Sequence, residues 1–477
     1  MPPSLSLAFV LGLLGSDVAW TGAIVHPPVA QDLAPTEPEA KDAGLVLPDG
    51  ARVLYVLKGG EQEHLGIAVS GVGDLDGDGA RDFVLGGLYG DHFAYGPGGV
   101  RAYSARTGKR LWEVHGTRNG GRPSKGDAFG AAVCSMGDVN GDGVGDVAIG
   151  GWRFASDRGF VRVVSGKDGA VLASIYGPTK GDEPVFVSGS DRSLDEAKDS
   201  SSRRGFGAFL AAASDLDGDG VADFLVGEDP LSFAGHYWAL SSRSSKVLSY
   251  GWGVPLAMTA DLDGDGWRDI AGVRSVEQSA SPFAGEVLRP RFMSGKDGKL
   301  LHDLPWSLDV GLPQPGDVDG DGRLDFVSVT RMAPLDSEGE ERTEKADLAP
   351  SGRAPVAIES ERVTRVHVLS GKDGAQLVSI PYAPELVIGL ADACGDLDGD
   401  GKSELLVPLG KKGEPSRIEL RSGADGKLLS TFTTASGTLG HRHALLDDLT
   451  GDGRPELLLT EYEGGACRGR AWVIALR

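Results

Sequence analysis

Seven short acidic loops carry the chemistry of this sequence. They read "DLDGDGARD" (74–82), "DVNGDGVGD" (138–146), "DLDGDGVAD" (215–223), "DLDGDGWRD" (261–269), "DVDGDGRLD" (317–325), "DLDGDGKSE" (396–404) and "DLTGDGRPE" (448–456). Each offers side-chain oxygen at positions 1, 3, 5 and 9. In chain order these are Asp74, Asp76, Asp78 and Asp82; Asp138, Asn140, Asp142 and Asp146; Asp215, Asp217, Asp219 and Asp223; Asp261, Asp263, Asp265 and Asp269. The last three sets are Asp317, Asp319, Asp321 and Asp325; Asp396, Asp398, Asp400 and Glu404; Asp448, Thr450, Asp452 and Glu456. A backbone carbonyl at position 7 completes a set suited to one hard cation. Calcium fits because it accepts many oxygens in loose geometry, whereas magnesium demands a tight octahedron. An EF-hand needs Glu at position 12, where this chain has Leu85, Ile149, Val226, Gly272, Ser328, Val407 and Leu459. The helical calcium motifs are thereby excluded. Up to seven Ca2+ ions are expected, acting as structural staples. Asn140 and Thr450 each remove a charge, so loops 2 and 7 should hold the ion less tightly.

The elements that position these loops repeat with them, at intervals of 46 to 79 residues. Nine residues before the first acid stands an apolar residue followed by glycine: Leu65-Gly66, Phe129-Gly130, Phe206-Gly207, Trp252-Gly253 and Leu439-Gly440. Ile388-Gly389 and Val310-Gly311 are slightly closer to their loops. After each loop comes a short apolar strand, such as "DVAIGG" or "DFLVG". A third strand then ends in hairpin chemistry, as in "VRVVSGKDG" (161–169), "RFMSGKDG" (291–298), "VHVLSGKDG" (366–374) and "IELRSGADG" (418–426). Glycine there supplies the positive φ of a tight turn. A fourth strand follows. Four antiparallel strands repeated seven times predict an all-β, seven-bladed β-propeller, because one such sheet cannot bury both faces alone. The last repeat supplies "RAWVIALR" with no fourth strand after it. "PDGARVLYVLKGG" (48–60) matches "KDGAVLASIYG" and is expected to complete the seventh blade. An N-terminal strand would then close the ring and remove two open sheet edges.

The repeat resembles the FG-GAP repeats of integrin α-subunit propellers and their bacterial relatives. "FGAAVCSMGDVNGDGVGDVAIGG" (129–151) fits that pattern almost residue for residue, and the resemblance covers about 48–477. It implies seven blades with calcium in hairpin loops on the lower face. Integrin propellers generally load some blades only, whereas here all seven loops have ligand sets.

Composition bounds the rest. The formal net charge is −22, which excludes a nucleic-acid partner, since phosphate binding needs concentrated Lys and Arg. The loops hold 26 carboxylates, and seven calcium ions would bring the net charge to −8. Calcium and folding should therefore be coupled. Cys134, Cys394 and Cys467 form no CxxC motif and are read as packed thiols. An apolar run from Leu5 to Leu14 suits a signal peptide over 1–23, followed by a Pro- and acid-rich linker over 24–46 and the propeller over 47–477. No later segment is apolar enough to span a membrane. A secreted, periplasmic or cell-surface monomer is the expectation.

Alternating strand direction puts the acidic loops and the 3–4 turns on one face, the calcium face, and the longer connections on the other. Insertions at 113–128, 178–204, 274–286 and 331–361 make that second face variable, and 178–204 and 331–361 read as solvated flaps. Tyr89, His92, Trp152, Arg153, Phe233 and His236 are the candidate ligand-binding residues there, suited to stacking on sugar rings or anchoring a protein loop. His441 and His443 share one face of a first strand, which suits either packing or a metal pair. No HExxH, GxSxG or GxxxxGK[ST] motif is present. The function expected is a calcium-stabilised module binding a protein or carbohydrate ligand. A polysaccharide lyase or hydrolase with its site on the variable face is the alternative.

Overall fold

In a computed structural model the described residues are 44–476, apart from 90–95, 117–125, 153–158, 179–183, 189–204, 229–234, 245, 278–286, 305–314, 333–362, 384–385, 389–390, 411–414, 435–438 and 462–467. They contain strands and turns and no helix. Blade 1 comprises Ala68–Gly71, Phe83–Gly87, Gly99–Tyr103 and Arg110–His115, in that order and antiparallel throughout. Blades 2, 3 and 4 repeat the order with first strands Phe129–Ser135, Phe209–Ala212 and Val254–Met258. Blade 5 has three described strands, Phe326–Met332, Val363–Leu369 and Gln376–Tyr382. Its expected first strand at Val310-Gly311 lies outside the described residues. Blade 6 is built on Leu405–Gly410, Ser416–Arg421 and Leu428–Thr434, with its first strand split into Val387–Ile388 and Asp392–Ala393.

Blade 7 confirms the expected closure. Arg52–Lys58 pairs antiparallel with Arg470–Ala475, from Arg52 opposite Ala475 to Lys58 opposite Arg470. The Tyr55 hydroxyl donates to the Ala105 carbonyl of blade 1 at 2.5 Å, tying the closing strand to the neighbouring blade. The core explains why a ring is needed. Seven apolar clusters occupy the seven blade junctions, so each sheet is covered by its neighbours. Between blades 7 and 1, Tyr55, Leu57, Leu458 and Val473 meet Phe83, Leu85 and Tyr103. Cys134 and Cys394 are buried among such residues, as the reading of packed thiols requires, and burial pushes the Cys134 thiol up to about 12. Cys467 lies outside the described residues.

In blades 1, 2 and 3 the apolar-glycine pair that opens the repeat is an inter-blade joint. Leu65, Phe129 and Phe206 each bridge the residue just before the third strand of the preceding blade: Gly469, Gly98 and Gly159. Gly207 takes φ +83 there, and a Cβ would lie 2.4 Å from the Phe160 carbonyl oxygen. Only glycine fits so close an approach.

Three stretches differ from the sequence reading. Trp252 is not the buried opener of blade 4: it ends the fourth strand of blade 3 (Val247–Trp252), opposite His236, and is 57% exposed. Gly253 alone separates that strand from Val254, so no connection is left to fold the indole inward. Within 178–204, Val185–Ser188 forms a fifth strand on the outer edge of blade 2. Leu45–Val46 pairs with Thr433–Thr434 on the edge of blade 6. In both cases an unpaired outer edge offers free backbone groups that a passing segment satisfies.

Candidate metal loops and the opposite face

All seven acidic loops share one local construction. The position-1 carboxylate accepts backbone N–H groups from the loop's own turn. Asp74 takes Gly77 N–H at 2.7 Å and Gly79 N–H at 2.8 Å, and Asp448 takes Gly451 and Gly453 in the same way. Gly77 and Gly79 lie at φ +79 and +87 with nothing within 4 Å of an added Cβ, so the backbone conformation selects glycine and packing does not. The N–H groups of Gly143, Gly266 and Gly453 hold Asp138, Asp261 and Asp448 below the usual carboxylate range.

Carboxylate oxygens of positions 1, 3 and 5 converge within 4.8 Å of one another in loops 1 and 4, at Asp74, Asp76 and Asp78 and at Asp261, Asp263 and Asp265. In loops 3 and 5 the converging groups are positions 1, 3 and 9, and in loop 6 Asp396, Asp398, Asp400 and Glu404 all converge. Loops 2 and 7, which carry Asn140 and Thr450, show no such group of three among the described residues. The all-oxygen donor sets fit a hard dication. Basic residues of the 3–4 turns lean over position 5: Arg106 is 3.7 Å from Asp78, Arg243 3.9 Å from Asp219 and Lys296 3.4 Å from Asp265. The basic partners are about half exposed, and such pairs contribute little stability.

Position 9 has a role that its sequence pattern did not reveal. Asp82 is fully buried; its Oδ2 accepts Leu75 N–H from position 2, and its Oδ1 accepts Ala105 N–H from the 3–4 turn, both at 2.8 Å. Asp146, Asp223, Asp269 and Asp325 make the equivalent pair of bonds, to Gly166, Ser242, Gly295 and Gly371 on the turn side. The carboxylate therefore clamps the acidic loop to the neighbouring hairpin of its own blade. Burial pushes Asp82, Asp223 and Asp325 up to about 6 and Glu404 to about 7, a penalty on the anion that a bound dication would offset. In blade 6 the longer Glu404 bonds Leu397 N–H through Oε2, while its buried Oε1 has no hydrogen-bond partner. Losing the clamp strands two buried N–H donors, each costing about 1–2 kcal/mol. Asp82→Ala should thus lose about 2–4 kcal/mol in chelator, where Asp76→Ala loses under about 1. Denaturant melts of both variants in chelator check this, and equal losses would refute the clamp.

Neighbouring loops are joined directly. Arg81 donates its backbone N–H and its Nε to the two carboxylate oxygens of Asp447, each at 2.7 Å, across the 7–1 seam. Ser403 N–H reaches the Asp317 carbonyl at 2.8 Å across the 5–6 junction.

On the variable face, Tyr89, Trp152 and His236 are described and lie at the ends of blades 1, 2 and 3; His92, Arg153 and Phe233 fall outside the described residues. The structure does not gather the three into one group. Tyr89, at φ +48, accepts from Arg101 at 3.1 Å and donates to Glu113 at 3.3 Å. Arg101 also pairs with the buried Glu63 at 2.8 Å and with Glu113 at 3.0 Å. Gln62 and His64, flanking Glu63, share the left-handed conformation at φ 56 and 54. His236 stacks within blade 3 on Tyr250, with the tilted rings of Trp252 and Trp238 close by. Trp152 is half-buried. His443 is buried at the blade 6–7 junction, its Nε2 donating to the Ala393 carbonyl at 3.3 Å and its Nδ1 3.8 Å from Asp392. That is a packing role; the side chain of His441 is outside the described residues.

No family model matches the chain. It is 30% identical to Integrin alpha-PS2 of Drosophila melanogaster over 173 residues, 35% of this chain and 11% of that protein. It is 33% identical to Integrin alpha-X of Mus musculus over 156 residues, 32% of this chain and 12% of that one. These matches thus span about a tenth of each relative's length. Among solved structures, a chain from a crystal of BBS1N in complex with ARL6DN aligns with a TM-score of 0.49 and 12% identity, covering 90% of this chain and 98% of that one. Among the described residues no helix is long and apolar enough to cross a membrane. With its seven blades, its opening glycine joints and these matches, the chain is a seven-bladed β-propeller whose repeats are similar to the FG-GAP repeats of integrin α N-terminal propellers.

Proposed function

We propose that this propeller is an exported, calcium-stabilised interaction module. Ca2+ in the acidic loops fastens one face, and the opposite face recognises a protein or glycan ligand. The observation that carries the calcium half is the convergence of three or more carboxylates within 4.8 Å in five loops of identical backbone construction. Elemental analysis and calcium titration of the folded protein test it, with loops 1, 3, 4, 5 and 6 expected to fill before loops 2 and 7. Export rests on the apolar run Leu5–Leu14 alone.

The binding half rests on asymmetry. The calcium face is a belt of near-identical loops linked to one another, whereas the variable face carries the long connections and the aromatic residues at blade ends. Trp152→Ala and Tyr89→Ala should weaken ligand binding by ~1–3 kcal/mol each while sparing calcium uptake. Asp142→Ala should instead loosen blade 2 and touch the ligand indirectly. Affinity and melting temperature must be read together, because Tyr89 also supports the Arg101 network. A protein and glycan array probed with and without calcium supplies the ligand. Binding lost in a fully folded Asp142→Ala, and untouched by the aromatic changes, would place recognition on the calcium loops.

A further inference from the structure

Among the described residues only two large aromatic side chains are strongly exposed, Tyr250 at 37% and Trp252 at 57%. They stand two residues apart on the fourth strand of blade 3, so both point to the same side of the sheet. Directly opposite on the third strand are Trp238 and His236. His236 is the centre of the group: its ring lies 4.0 Å from Trp252 and 5.4 Å from Tyr250, nearly parallel to the latter at 16°. Trp238 is fully buried beneath them, packed with Phe206 at the junction with blade 2. His236 and Trp252 lie at the variable-face end of both strands.

The arrangement is held from behind. Glu228 Oε2 accepts the His236 backbone N–H at 2.9 Å and the ring Nδ1–H at 3.2 Å, which fixes the orientation of the imidazole. Arg291 of blade 4 donates to the Trp252 carbonyl at 3.1 Å, and Gly253 N–H donates to Gly235 at 2.9 Å. The Tyr250 hydroxyl and the Trp252 indole N–H make no hydrogen bond to the described protein. In the equivalent repeat position Leu65, Phe129, Phe206 and Leu439 are buried. Among the described equivalents Trp252 alone is turned outward.

We propose that Tyr250 and Trp252, held in place by the largely buried His236 ring, form a stacking platform for a neutral pyranose ring of an oligosaccharide. A pyranose presents an apolar C–H face to stack on the rings and hydroxyls at its rim for the Tyr250 hydroxyl and the Trp252 N–H. A purely apolar ligand would leave those polar groups unmatched. The exposed aromatic area is on the order of 200 Å², given roughly 150–250 Å² per aromatic side chain. A protein interface needs about 800 Å² per partner, whereas this patch by itself matches one or two sugar rings. A net charge of −22 and the adjacent Glu228 carboxylate disfavour acidic sugars.

This inference rests on the variable face being the binding face. The test titrates cellotetraose, maltotetraose and N-acetylated chitotetraose into the calcium-loaded full chain, followed by calorimetry. At least one should bind. Trp252→Ala should weaken that binding about 10-fold or more and Tyr250→Ala about 5-fold, with at most a small drop in melting temperature, since both rings are partly exposed and pack on His236. Leu428→Ala, at an exposed apolar residue of blade 6, should change nothing. Independently of any variant, 5-fluorotryptophan labelling should show one exposed indole resonance shifting on titration. Failure of all three sugars to bind overturns the proposal. Binding that survives Trp252→Ala but is lost in Trp152→Ala overturns it too, while leaving the variable face as the binding face. Binding lost only in a folded Asp142→Ala overturns both.

Discussion

Chelation of calcium should lower the melting temperature by on the order of 5–10 °C and shift the denaturant midpoint with it. Extracellular-type oxygen sites bind calcium with a Kd on the order of 0.1–1 mM. At calcium tenfold above Kd each occupied loop contributes roughly 1.4 kcal/mol. Five loops bring three or more carboxylates together, which yields about 7 kcal/mol, a large part of the 5–15 kcal/mol typical of a folded domain. Spread over the unfolding entropy of a chain of this size, that becomes the stated shift. Part of the effect is repulsion: without the cation, loop carboxylates face one another with only the half-exposed Arg106, Arg243 and Lys296 nearby. Magnesium at the same concentration should restore much less. Scanning calorimetry in calcium, magnesium and chelator measures all three, and identical melts would remove the loops from the stability account.

Removing residues 1–58 should open the ring, with a larger effect still. The deletion takes away Arg52–Lys58 and with it the buried Tyr55, Val56 and Leu57. At about 1.5–3 kcal/mol per fully buried side chain, that loss alone approaches the stability of a typical domain. It also strips the partner from Arg470–Ala475, exposing an edge that carries the otherwise buried Trp472 and Ile474. Such an edge recruits other chains. Removing residues 1–46 costs the two-residue pairing of Leu45–Val46 and one buried side chain, Leu45, and should leave a monomeric, cooperative melt. Size-exclusion chromatography and calorimetry of both truncations, with a peptide of residues 44–60 added back to the longer one, decide the matter. A longer truncation that stays monomeric and melts like the shorter one would show that the strand does not close the ring.

What the sequence determined by itself was everything carried by short-range contacts and by repetition. The acidic loop is local: Asp74 reaches no further than Gly79, and two glycines at positive φ make that reach possible. Seven copies of one pattern then imply seven blades, and the likeness of "PDGARVLYV" to "KDGAVLASI" was enough to place the closing strand. The tertiary structure decided what depends on contacts distant in the chain. Position 9 reads as one more ligand until the fold brings Ala105 to Asp82, and Gly371 to Asp325 across 46 residues. The Ser403–Asp317 and Arg81–Asp447 bonds link separate blades and leave no periodic trace. Trp252 shows the limit best. Its spacing matches Phe129 and Phe206, but one residue of linker between two strands cannot carry the chain back into the junction, so the same position that is buried elsewhere becomes surface. Strand pairing across a junction, a non-local term, sets the register there, and local pattern has no access to it.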